Sequence, residues 1–484
     1  MRNGKLVMFF SFCCIAVLMT SCNSEEHVVP QDAPLTRDEV AVGINCTTQT
    51  EVTRGGATGL LKSNTDLQNH GVGVFAYYTG SSTWASAGSS TAPNFMYNQY
   101  VEYLAVGLDA SGNDVYSWVY SPTKYWPNDN TNADNVGATG SQTASYLSFF
   151  AYAPYVEVTP STGVVADEST TGITALTSNS TAGAPKVTYT WTNDITQQVD
   201  LLWGTRSSST SYDLASGSTD AGSSSKTVNT DLTKQTTGET VDFLFKHALS
   251  SVDIYVRRVY DEVSASGKSP DNDVDTKIFV SELVLTPASL YSVGQFDLST
   301  GTWSGQTSAV TTPVTYDNTM IREAVRGTTS TDEVYIRDAE LNKWSTKWDS
   351  SGNIDNESGT VPAGVTETST LLHLSTIGLI LIPQGTVTFT PKIKYSFVTK
   401  DNELQENYLT DKEGNRYTRI THEIEGSGVN MVFESGKRYT LLCLIGVESV
   451  SFEVTAVEDW DFPILLNPTV TAETETKPKT VDEQ

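Results

Sequence analysis

Residues 386–397 read TVTFTPKIKYSF. Val387, Phe389, Ile393, Tyr395 and Phe397 fall in one phase, and Thr388, Thr390, Lys392, Lys394 and Ser396 fall in the other. A period of two marks a strand with one buried face and one wet face. The same pattern extends outward. LLHLSTIGLILIPQ precedes it at 371–384, and RYTLLCLIGVESVSFEVTAV follows at 438–457. Upstream, VGVFAYY at 72–78, SYLSFFAYAP at 145–154 and VDLLWG at 199–204 are short apolar runs of the length of buried strands. Residues 94–108 carry Phe95, Tyr97, Tyr100 and Tyr103 and read as a further strand. Residues 278–292 and 294–303 read as paired strands with a turn between short segments. Helical periodicity is scarce, and turn signals recur about every dozen residues. The expected fold is all-β, as two antiparallel β-sandwich domains in series.

Composition agrees. Among the 484 residues are 22 Tyr and 35 Gly, and Ser, Thr and Asn are abundant. These are residues of strands and turns. Residues 156–185 read as a long surface loop, 207–236 as a low-complexity Ser/Thr segment, and 301–314 as a turn-rich boundary between the domains. The balance of 30 Lys+Arg against 57 Asp+Glu gives a formal net charge of −27. Phosphate contact needs a basic surface, so nucleic acid is not an expected partner.

The amino-terminal segment sets location. Arg2 and Lys5 precede an apolar run at 6–19, which is too short to span a bilayer as a permanent helix. Thr20 and Ser21 then lead into Cys22. This order reads as a lipoprotein signal peptide, residues 1–21, with Cys22 acylated; the alternative is an ordinary secretory signal with an incidental cysteine. Lipid chains on Cys22 would hold the protein to an outer membrane, exposed at the surface. A Pro-containing linker follows. Val40, Val42, Ile44, Cys46 and Thr48 then alternate with Ala41, Gly43, Asn45 and Thr47, as in a half-buried strand. That strand ends near Arg54, which stands before Gly55 and Gly56. An arginine ahead of two glycines is an accessible site for an arginine-specific protease, or simply a surface arginine at a turn; Arg37 is a second candidate.

Few residues suggest other chemistry. Cys13 and Cys14 lie in the leader, which leaves Cys46 and Cys443, each in an apolar strand and read as buried thiols rather than a bridge. His247 sits between apolar runs and reads as a core or sheet-edge histidine. His70, His373 and His422 lack a metal-binding or catalytic pattern. Gly267-Lys268-Ser269 lacks the upstream glycine of a phosphate loop, and Pro270 follows at once. Asp271, Asp273 and Asp275, and Asn128, Asn130, Asn132 and Asp134, present oxygens at alternate positions without the glycine and distal glutamate of a calcium loop, and read as solvated turns. The aromatic block 116–127, YSWVYSPTKYWP, either stacks sugars or packs a core. No catalytic residue, cofactor or metal is expected, and the chain does not read as an enzyme.

Taken in order, several pieces resemble one family, the fimbrillins, which are the subunits of the type V pili of anaerobic Gram-negative bacteria. They are the lipobox at Cys22, the strand ending in Thr53-Arg54, GVGVFAYY at 71–78, YSPTKYWP at 120–127 and SFFAYAP at 148–154. They continue with FKHALSSVDIYV at 245–256, FDLSTGTW at 296–303, LILIPQ at 379–384 and FESGKRYTLLCLIGVESVSFEVTAVEDW at 433–460. The resemblance implies two transthyretin-like sandwiches, at 55–304 and 305–471, behind a propeptide at 22–54 and ahead of a polar tail at 472–484. It implies that a protease cuts after Arg54, that the first strand leaves, and that a strand from a neighbouring subunit fills the groove. The donor would lie within 462–471, although Pro463 and Pro468 interrupt it. The alternatives are a tip or accessory subunit, or a surface lipoprotein that binds glycan or host protein without polymerising.

Overall fold

A computed structural model describes residues 41–48, 61, 63–127, 145–166, 171–206, 227–233, 240–258, 276–317, 320–321, 372–373, 378–406, 408–410, 414, 416–445 and 450–460. In chain order the first strands are β1 (Gly43–Thr48), β2 (Val72–Gly80), β3 (Met96–Leu108), β4 (Asp114–Val119), β5 (Tyr146–Ala153), β6 (Gly172–Leu176) and β7 (Lys186–Thr190). Then come β8 (Leu202–Arg206), β9 (Asn229–Leu232), β10 (Thr240–His247), β11 (Ser250–Arg258), β12 (Thr276–Pro287), β13 (Leu290–Asp297), β14 (Thr302–Val310) and β15 (Val314–Tyr316). The remainder are β16 (Leu372–His373), β17 (Leu379–Leu381), β18 (Gln384–Lys400), β19 (Leu409–Thr410), β20 (Arg416–Glu425), β21 (Val429–Phe433), β22 (Lys437–Ile445) and β23 (Val450–Asp459).

Among the described residues four sheets form, and the fold is all-β. The largest has the order β1-β10-β8-β5-β2-β3-β4, with β9 added on β5. A four-stranded sheet, β14-β13-β7-β6, packs on one of its faces. The other two sheets are β16-β11-β22-β23, with β17 on β11, and β15-β12-β18-β20-β19, with β21 on β18. Pairing is antiparallel except at β1–β10 and β11–β22.

The continuous apolar runs are explained by burial on two faces. Along β2 and β5, Phe75, Tyr77, Phe150 and Tyr152 point into one core, which they share with Tyr189 and Phe296. Their neighbours Val74, Ala76, Phe149 and Ala151 point into a second core on the opposite face. A strand covered on both sides has no wet phase, so the alternation disappears. The strand at 386–397 alternates as far as Tyr395: Val387, Phe389, Ile393 and Tyr395 are buried while Thr386 and Lys394 are exposed, but Ser396, expected in the wet phase, is fully buried and Phe397 is half-buried.

The sheets do not divide at residue 305. β10 and β11 are separated only by Ala248 and Leu249, both fully buried, and do not pair with each other. The chain passes from the first pair of sheets into the second, returns at Ala288-Ser289 to form β13 and β14, and leaves again before β15. β11 and β12, read as part of the first domain, therefore lie in the sheets of the carboxyl-terminal half. Side chains reinforce the crossings. Trp303 Nε1 donates to Ala248 O at 2.7 Å, Trp191 Nε1 to Ile380 O at 2.7 Å, and Ile380 N to Gln198 Oε1 at 2.7 Å.

Three other expectations change. The turn-rich boundary contains β14, whose residues are mostly exposed on both faces, so no apolar phase marks it. The loop at 156–185 contains β6 and buries Val158, Val165, Ile173 and Leu176. The low-complexity segment contains β9, held where Asn229 Nδ2 donates to Asp242 O at 2.9 Å. A short helix, α1 (Asn64–His70), also forms, with Ser63 Oγ accepting from Asp66 N at 3.1 Å.

Because the chain crosses three times and one core spans both pairs of sheets, the protein is expected to unfold in a single transition. Phe296→Ala, in the first pair, should cost about 3–5 kcal/mol. It should lower the melting temperature of both halves together, as read by calorimetry. Two separated transitions would contradict this.

Candidate functional site

The site is the seat of β1. Val42, Ile44 and Cys46 point inward and are buried, while Asn45 is exposed, as the alternation expected. Their core is lined by Val241, Phe243 and Phe245 of β10, Phe149 of β5, Leu67 of α1, and Trp118 and Trp126. One edge of β1 pairs in parallel with β10, from Gly43 opposite Thr240 to Thr48 opposite Phe245. Asn45 Nδ2 donates to Asp242 Oδ1 at 3.0 Å across that pair.

The other edge is held differently. Among the described residues no strand pairs along it. The large sheet curls until β4, its far edge, reaches β1 through side chains. Trp118 Nε1 donates to Cys46 O at 3.0 Å, and Tyr120 Oη donates to Val42 O at 2.7 Å. Val42 N donates to Lys124 O at 2.9 Å, and Ala41 forms a single bridge with Tyr125. Beyond the strand, Thr48 N donates to Asn64 Oδ1 at 2.7 Å. The contrast with β11 is informative. It too lies parallel to a neighbour, β22, but β16 and β17 pair along its opposite edge. β11 is locked on both sides, and β1 is laddered on one.

Removing β1 would therefore open a defined trough. Three side chains would leave the core, each burying about 1.5–3 kcal/mol of apolar transfer energy. The buried Trp118 indole would lose its acceptor, at about 1–3 kcal/mol. The β10 edge would present unpaired backbone groups.

A buried polar cluster lies close by. Asp200 is fully buried; its Oδ2 accepts from Leu61 N at 3.2 Å and its Oδ1 from Leu201 N at 2.8 Å. His247, at the end of β10, places Nδ1 2.9 Å from Asp200 Oδ2, close enough for an ion pair but without hydrogen-bond alignment. The His247 ring stacks on Trp460 at 3.9 Å between centroids. His247 is thus a core histidine, as its apolar flanks indicated.

The other singled-out residues are scattered. His70 Nδ1 bonds Asp66 O, His422 stacks on Tyr395, and His373 pairs through its backbone with Tyr255. Trp118 and Trp126 of the aromatic block face the core, and Tyr125 is exposed. Cys46 and Cys443 are free, buried thiols. Among the described residues no three His, Cys, Asp or Glu side chains converge as metal ligands. Cys22, Arg37, Arg54, the oxygen-rich runs at 128–134 and 271–275, Gly267-Lys268-Ser269 and the segment 462–471 lie outside the described residues. Sequence reasoning missed Asp200, Asn64 and the acceptor role of the Cys46 carbonyl. Only the burial of VDLLWG hinted that Asp200 needed a partner.

Burial pushes the Cys46 thiol well up from its ordinary value, with the Asp242 carboxylate adding to the shift; burial alone pushes Cys443 up. The folded state therefore favours the neutral thiols. That stability is fully present below the unfolded thiol value of about 8.5 and is lost as pH rises past it. At pH 9 the intact protein should resist alkylation of Cys46 while the unfolded chain reacts. Trp118→Phe should cost about 1–3 kcal/mol and expose Cys46 first, as read by mass mapping of alkylated thiols. Equal alkylation of wild type and variant would count against the Trp118–Cys46 contact as a clasp.

No family model matches the chain. The chain is 26% identical over 469 residues to the fimbrium subunit Fim1C of Phocaeicola vulgatus, covering 93% of this chain and 96% of that one. A fimbrial protein from Bacteroides vulgatus, solved by crystallography, superposes with a TM-score of 0.51 at 21% identity, covering 87% of this chain and all of that one. The likeness to fimbrial subunits first read from ordered motifs therefore holds in sequence and in fold along almost the whole chain.

Proposed function

We propose that the protein is a structural subunit of a surface fimbria that supports adhesion, exported as a lipoprotein through Cys22 and activated by cleavage after Arg54. The cut frees β1, and a strand from a neighbouring subunit takes its place between β10 and the Trp118–Tyr120 side of β4. The observation that carries this reading is the one-sided hold on β1: a ladder to β10 on one edge and four local contacts on the other. Such a strand seals an apolar core, yet departs without breaking a second ladder. An incoming strand restores both the backbone pairing and the apolar filling, as in donor-strand addition. Because the contact is head-to-tail and does not close, it propagates as a filament. The fimbrium subunit relative, similar over nearly its full length, supports this assignment.

A second reading is favoured by Pro463 and Pro468, which interrupt the candidate donor segment. The protein then accepts a strand but donates none, as a tip or accessory subunit would.

Treating the leaderless chain with an arginine-specific protease should yield a new amino terminus at Gly55. Intact, cut and Arg54→Ala chains are then compared in mild detergent. A ladder from the cut chain alone supports the polymerising subunit. A Gly55 start without a ladder, rescued by adding a second fimbrial subunit, supports the accessory role. No cut near Arg54, or a ladder from Arg54→Ala, refutes the processing step.

A further inference from the structure

The β3–β4 hairpin extends well beyond the core. From Leu104 on β3 and back to Asp114 on β4, every residue is exposed. Yet its side chains are not those of a wet ribbon. Leu104, Val106, Leu108, Val115 and Tyr116 are all large and apolar. Among the described residues β4 pairs only with β3, and on the hairpin beyond Trp118 no described strand ladders to its outer edge. Long apolar edges of this kind are rare on monomers, because they template association.

The face that matters continues the seat of β1. Directly opposed residues of an antiparallel pair share a face, and Tyr103 lies opposite Trp118 while Ala105 lies opposite Tyr116. Trp118 is buried against the β1 core, and Tyr103 packs half-buried beside it, 5.3 Å between centroids. Tyr116 stacks on Tyr103 at 5.7 Å and is 51% exposed. Leu108, opposite Asp114 on the same face, is 68% exposed. The strip thus begins inside the core and ends in solvent. Its direction is also fixed. Tyr120 meets Val42 and Trp118 meets Cys46, so the strip runs past Thr48, beyond the carboxyl end of β1. β1 is too short to cover it.

We propose that this strip is a docking surface for a second copy of this chain, taking the residues that continue the strand placed in the β1 seat. This rests on the strand-replacement reading above. A donor occupying the six positions of β1 and running on across the exposed hairpin would need about ten residues in all, at about 3.3 Å each. Run antiparallel to β1, the stretch 462–471 that the sequence offers would set Phe462 and Ile464, which share a face, against Tyr116 and Leu108. The part of the strip formed by Tyr103, Ala105, Tyr116 and Trp118 bears no charge, which suits contact between two copies of a strongly acidic chain, and Asp114 stands at its outer end opposite Leu108.

The test uses the full leaderless chain, cut with the arginine-specific protease. Leu108→Ser alters an exposed position and Tyr116→Ser a half-exposed one stacked on Tyr103, so the melting temperature of the uncut chain should fall by no more than the loss of one aromatic pair. Polymer yield at equal time should fall about tenfold in the double variant, the scale of losing an interface aromatic. A photo-crosslinking phenylalanine at position 116 should trap a second copy of the chain, mapped by mass spectrometry. Wild-type polymer with an unaffected double variant overturns the docking surface and leaves the fimbrial reading standing. An intrachain crosslink to residues 49–60 overturns it also, by naming a different occupant. A wild-type chain that never polymerises, even with added subunits, overturns both.

Discussion

A curved sheet whose inner face is apolar must be closed at its edges, and here the two edges do not ladder to each other. β1 occupies the gap. Its inward residues complete the core that Phe149, Phe243 and Phe245 begin, and its carbonyls satisfy Trp118 and Tyr120. The closure is strong in burial and weak in ladder pairing, because backbone pairing runs along one edge only. Apolar burial is non-directional and proportional to area. What the seat asks of its strand is apolar residues at alternate positions, as Val42, Ile44 and Cys46 supply. The geometry thus separates what must be filled from what fills it.

The second constraint is the path of the chain. Two sandwiches in series would share one linker. Here β11 and β12 lie with the carboxyl-terminal sheets, and β13 and β14 return to pair with β7. One core cluster therefore holds Phe150 and Phe296 together with Ile393 and Leu441. The Trp303, Trp191 and Gln198 hydrogen bonds tie the same junction. The β1 seat belongs to the smaller cluster, on the opposite face of the large sheet.

What was legible in the sequence follows from burial. Runs such as VGVFAYY and SYLSFFAYAP announce strands covered on two faces, and TVTFTPKIKYSF announces one covered on one face. The strand at 43–48, with the residue before it, shows its inward phase in Val42, Ile44 and Cys46. What escaped was whatever lacks an apolar phase. β14 is mostly exposed on both faces, so SGQTSAV reads as turn. β9 is held by Asn229 and by backbone pairing with β5, so NTDL reads as loop. The crossing at Ala248-Leu249 escaped because two buried residues between strands look like a tight hairpin, and only pairing tells otherwise. At the site, the inward residues of β1 were visible and their partners were not, since Trp118, Tyr120 and Asn64 act through carbonyls and amides at long sequence separation.

The three crossings also have a mechanical side. In a thread of protein units, tension concentrates at the weakest covalent bridge between modules, and modules joined by one linker stretch there first. In this chain three paths, through Ala248-Leu249, through Ala288-Ser289 and through residues 311–313, join the two pairs of sheets. Extension would need all three to yield with the core between them. A subunit built this way resists elongation within itself, so under pull a filament of such units would part at the joints between subunits before it lengthened inside any one of them.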